Sequence, residues 1–215
     1  HTMRKFCLTI IVLAGFSKAL FAQFGNCTAS EMQTYTDRET GNTITILTDT
    51  LKNDRFLYQT DPMWTHDGKY LLFRSSSRAN DKKIERTLPN GEKRSWTPTQ
   101  IYFIEMATGQ IIQATEGPDL GSAFLANKSN RMFISRKEKE DWNMYVMDLD
   151  KFFADVKKGK VGKPTAYETL LGTFPTSMGR PGGYAIDCND DYAYITVERE
   201  GTEEEKERMA KNAFL

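Results

Sequence analysis

Through much of the chain apolar and polar residues alternate at a period of two, and compact polar clusters break the alternation at intervals. Five stretches carry the pattern: TYTDRETGNTITILT (34–48), WTHDGKYLLF (64–73), IYFIEMATGQIIQAT (101–115), FLANKSNRMFI (124–134) and IDCNDDYAYI (186–195). Alternation places every second side chain on one face of an extended strand, so each stretch predicts a half-buried strand pair. Asp67-Gly68, Thr40-Gly41 and Thr108-Gly109 supply the turns, because glycine accepts a positive φ without steric cost.

Two kinds of hairpin recur in fixed order. Aligning Trp64, Phe124 and Ile186 spaces the copies of the first by 60 and 62 residues. The Thr-Gly stretches at 34–48 and 101–115 form the second, and Met144–Asp150 followed by Tyr167–Leu171 is a weaker third copy. Two hairpins per unit make a four-stranded antiparallel sheet, the blade of a β-propeller. The expected fold is therefore all-β, with partial propeller blades across residues 23–200. The segments 78–98 and 151–164 are charged and broken by Gly and Pro, and they read as exposed loops. About three blades are expected. A closed ring needs at least ~4, so the chain reads as the front half of a larger protein. Gly201–Leu215 reads as a charged helical tail.

Composition narrows the function. Lys+Arg and Asp+Glu both number 29, so no net field draws the chain to nucleic acid or to an anionic membrane. Met3-Arg4-Lys5, the apolar run CLTIIVLAGF (7–16) and the small residues Ala19 and Ala22 have the layout of a signal peptide over residues 3–22. The expectation is cleavage before Gln23 and a periplasmic protein with no membrane span in its mature form. His1-Thr2 reads as a cloning remnant. Cys27 and Cys188 remain after cleavage, and their spacing leaves open whether they pair; a lipid anchor on Cys27 ranks below the soluble form.

The chain has 2 histidines, His1 and His66, and His66 lies in a turn. No metal-ligand spacing, phosphate loop or nucleophile–base set is present, so no residue here is assigned a catalytic or metal role. Basic and aromatic side chains near strand ends remain as candidates for contacting an anion. These are Arg55, Tyr58, Gln59, Arg74, Arg78, Arg136, Lys137 and Arg180, most of which are expected individually to be loop charges paired with local acids; Arg55, Tyr58, Gln59, Arg74 and Arg180 are the ones assigned to an anionic substrate.

The succession TYTDRETGNTITILT, RFLYQTDPMWTHDGKYLLF, IYFIEMATGQIIQATEGP and GGYAIDCNDDYAYITVE resembles the N-terminal half of oligogalacturonate lyases, over most of residues 33–200. The resemblance implies a seven-bladed propeller that cleaves an acidic oligosaccharide by β-elimination. It also implies a divalent metal, manganese in the family, held by histidines, with a further histidine as base. Those histidines lie in the family's C-terminal half, so this chain alone is expected to be inactive. A non-catalytic exported propeller that binds glycans or partner proteins is the alternative. The pattern sets no oligomeric state.

Overall fold

The computed structural model describes residues 23–79, 83–87, 91–117, 120–139, 141–174 and 180–198. Among them all regular structure is antiparallel β-sheet except one α-helix and a short 3-10 turn. The signal-peptide and tail expectations fall outside the described residues. No described helix is long and apolar enough to cross a membrane.

The first large sheet is built from β1 (Cys27–Thr28), β4 (Asp54–Arg55), β5 (Tyr70–Ser75), β8 (Gln100–Glu105) and β9 (Ile111–Gln113), in the order β1-β9-β8-β5-β4. The second is a meander of β10 (Leu120–Leu125), β11 (Arg131–Glu138), β12 (Asp141–Asp148) and β13 (Glu168–Phe174). Three hairpins complete the set: β2 (Gln33–Thr36) with β3 (Thr43–Ile46), β6 (Ile84–Thr87) with β7 (Lys93–Trp96), and β14 (Arg180–Ile186) with β15 (Ala193–Glu198). The expected turns are where the pattern put them, with Gly68 at φ +69°, Gly109 at φ +72° and Gly41 at φ +72°.

Period-two alternation sorts the first sheet's side chains onto two faces. Tyr70, Leu72, Ile101, Phe103 and Ile112 join a core shared with Ala123, Leu125, Met132, Ile134 and Met147 of the second sheet. Phe73, Tyr102, Ile104 and Ile111 form a smaller cluster on the opposite face, capped by Leu47 just after β3. β5 and β8 are thus covered on both sides, which is why YLLF and IYFI are apolar runs. On the far side of the second sheet, Phe124 meets Tyr184 of β14 with ring centroids 5.4 Å apart.

The repeated turns also meet one another. His66 Nδ1 donates to the Asn127 carbonyl at 2.9 Å, and Asp67 N donates to Asn130 Oδ1 at 3.2 Å. One repeat further on, Asp190 accepts from Asn127 N at 2.6 Å, Lys128 N at 2.8 Å and Ser129 Oγ at 3.1 Å. Burial pushes the Asp190 carboxyl up, but these donors outweigh it and hold the group below its ordinary value. Equivalent turns of successive sheets therefore sit side by side in a row.

Three expectations need correction. The units are not uniformly four-stranded: β1 pairs Cys27 and Thr28 with Ile112 and Ile111, covering a β9 edge that would otherwise leave backbone groups unpaired. Segment 78–98 contains the β6–β7 hairpin instead of being only loop. Segment 151–164 begins inside helix α1 (Leu149–Lys157), which is capped by Asp148 and buries Leu149, Phe152, Phe153 and Val156. Those four positions follow helical spacing and fill the space between the two large sheets.

Candidate functional site: an arginine-lined cleft

Strand β4 is an edge strand, paired only with β5. Its register sets Arg55 directly opposite Arg74, so the two side chains leave the sheet as cross-strand neighbours. Both are exposed, and Arg74 interrupts an otherwise buried strand. Between this edge and β10 lies a cleft of about 530 Å³. Arg55 and Arg74 line it together with Tyr58, Asn53, Trp96 and Phe124; Asp61 is the one carboxylate among the described lining residues. Tyr58 and Trp96 are 67% and 40% exposed, enough to present ring faces to a bound molecule.

Electrostatics distinguish these two arginines from the others near strand ends. Arg78 is 6% exposed at the side chain and is clamped by two acids. Its Nη1 and Nη2 donate to Glu31 at 2.9 and 2.6 Å, and its Nε and Nη2 donate to Asp54 at 2.9 and 2.6 Å. Arg136 donates from both terminal nitrogens to Glu168, at 2.9 and 3.0 Å. Arg55 has only a neutral partner, Asn53 Oδ1 at 3.2 Å from its Nε, and Arg74 has no ion pair among the described residues. Two like charges facing each other across strands repel. An anion placed between them would relieve that repulsion and receive forked donors.

No protein-family model matches the sequence, and no curated protein matches it. Solved structures do. An oligogalacturonate lyase in complex with manganese superposes on 78% of this chain and 36% of its own length, at a TM-score of 0.52 and 19% identity. The fold resembles part of an oligogalacturonate lyase. A second such lyase, from Vibrio parahaemolyticus, covers 77% of this chain and 35% of its own, at a TM-score of 0.53 and 20% identity. The chain thus spans about a third of the length of the oligogalacturonate lyases it matches. At this identity the likeness is one of fold.

Within this lyase-like fold, the cleft gathers three of the five candidate residues: Arg55, Tyr58 and Arg74. Gln59 is exposed but does not line the cleft. The backbone of Arg180 opens β14 opposite Glu198, and its side chain lies outside the described residues. Sequence reading missed Trp96, which the β6–β7 hairpin carries to the rim from inside a segment that looked only like charged loop. It also missed Asn53, which holds Arg55. Among the described residues no group of three or more His, Cys, Asp or Glu is placed to hold a metal ion. Cys27 and Cys188 are exposed free thiols.

Proposed function

We propose that the cleft binds the carboxylate of a uronate sugar, as one part of an exported, lyase-like protein acting on oligogalacturonate or a related acidic oligosaccharide by β-elimination. The observation that carries this reading is the Arg55–Arg74 pair, two adjacent guanidinium groups with no acidic partner among the described residues. The fold likeness to oligogalacturonate lyases supports the same substrate class. A seven-bladed propeller is the architecture proposed for the complete protein. Sheet-on-sheet stacking and the row of matched turns support that arrangement.

In this reading the guanidinium pair neutralises and orients a carboxylate while Tyr58 and Trp96 offer flat apolar faces to the sugar ring. One of the similar lyases is a manganese complex. The described donors in this cleft do not fit such an ion: among the described residues its lining has two arginines and a single carboxylate, Asp61. A metal and a base would therefore come from outside the described residues. The same lining favours a second reading, a glycan-binding protein without catalysis.

An assay on the complete protein carrying this chain separates the two. Incubated with oligogalacturonate and manganese, a lyase generates the absorbance of an unsaturated uronate. Arg74→Ala should then lower kcat/KM by roughly 10- to 100-fold, the loss of one charge-assisted contact, with the thermal midpoint near wild type. Binding without new absorbance, across several acidic oligosaccharides, would establish the second reading and reject the lyase.

A further inference from the structure

Residues 23–28 are anchored along their whole length. Phe24 is 5% exposed, and its ring lies 5.0 Å from Phe152 and 5.7 Å from Tyr167. Gly25 takes a left-handed conformation, φ +78°, and its N–H donates to the Gln113 carbonyl at 2.7 Å. Cys27 and Thr28 then pair with β9. Just before this anchor, a single oxygen, Glu116 Oε2, accepts from Gln23 N at 2.9 Å and from Phe24 N at 3.2 Å. Glu116 forms no ion pair among the described residues, so the carboxylate is aimed at the start of this segment with no cation beside it.

We infer that the chain is processed by hydrolysis of the Ala22–Gln23 peptide bond, and that the freed α-ammonium of Gln23 forms an ion pair with Glu116. The inference goes beyond the functional reading and does not depend on what the cleft binds. In the hydrolysis, water adds hydroxyl to the Ala22 carbonyl carbon, the C–N bond breaks, and the nitrogen leaves with a proton. A signal-type peptidase is the class of enzyme that acts on such a site, a positive start and apolar run followed by Ala19 and Ala22. An α-amino group has an ordinary pKa of about 7.7–8.0, so the new terminus is largely cationic at neutral pH. Glu116 then gains a charge-assisted partner in place of an amide.

The fold also rules against the competing cut. Lipidation of Cys27 requires cleavage directly before it, which would remove Phe24 from between Phe152 and Tyr167 and sever the Gly25–Gln113 bond. Losing a buried phenylalanine opens the core. The Gln23 cut keeps every one of these contacts.

Expression of the full chain with its leader in an exporting bacterial host, followed by intact-mass measurement and N-terminal sequencing, tests the assignment. The protein should begin at Gln23 with a free amine. A lipid-modified Cys27 terminus or a retained leader overturns the cleavage site. A mass lower by one ammonia means that Gln23 has cyclised to a neutral ring, which overturns the ion pair. Glu116→Gln provides the second measurement, made in protein starting at Gln23 and in protein with extra glycines before Gln23. The thermal midpoint should fall by about 2–4 °C more in the first. Equal falls overturn the ion pair.

Discussion

Replacing Arg78 with methionine is expected to destabilise the fold by about 3–5 kcal/mol, the range for removing one partner of a buried ion pair. The side chain links three segments: Asp54 in β4, its own bend after β5, and Glu31 before β2. Its guanidinium also lies 5.3 Å from the Phe73 ring centroid. Methionine would keep much of the apolar packing but leave Asp54, 9% exposed at the side chain, and Glu31 as neighbouring carboxylates without their cation. Urea unfolding should show the lower midpoint, and an unchanged midpoint would mean the clamp is dispensable. The same cluster sets an acid limit. The Arg78 hydrogen bonds hold the Glu31 carboxyl down to about 2 from the ordinary 4.5, against the opposing effect of its burial. Because the folded value is depressed, this stabilisation is present above about pH 4.5 and is lost as pH falls toward 2. Allowing for solvent screening it amounts to roughly 1–2 kcal/mol. Arg78→Met should flatten that part of the stability–pH profile.

Phe153→Ala is the second large effect, expected at about 3–5 kcal/mol for truncation of a buried aromatic. Phe153 stacks on Tyr70 with centroids 3.6 Å apart and an interplanar angle of 10°, and meets Phe103 edge-on at 5.1 Å and 89°. With the Lys157–Glu105 ion pair, it joins α1 to the first sheet. The cavity would open in the core shared by both large sheets, where neighbours from three elements cannot all collapse into it. Lys158→Ala, at the exposed end of the same segment, should change stability by less than about 0.5 kcal/mol. Equal, small effects from both substitutions would show that this segment does not pack as a helix on the core.

The hairpins were legible because their information is local. Asp67-Gly68 and Thr108-Gly109 specify turns, and the flanking residues specify strands with the same period. Helix α1 was hidden by its own surface. Asp150, Lys151, Asp155 and Lys157 gave the segment the composition of a loop, while Leu149, Phe152, Phe153 and Val156 kept the helical spacing that would have revealed it. The site was only half legible for a different reason. Arg74 and Arg78 are four residues apart and look alike in sequence, yet one is clamped by acids and the other lines a cleft. The acids that settle this, Asp54 and Glu31, are 24 and 47 residues from Arg78. Trp96 reached the cleft through a hairpin whose strands are too charged to stand out.

Titration of the chain with tri-galacturonate, followed calorimetrically or by NMR, tests the anion-binding cleft most directly. The wild type should bind the acidic sugar and not a neutral galactose trimer. Changing Arg55 and Arg74 together to methionine should weaken that binding by at least about 10-fold, the worth of one charge-assisted contact, without lowering the thermal midpoint. Undiminished binding by the double variant, or equal binding of the neutral trimer, would contradict the assignment of this cleft to a uronate.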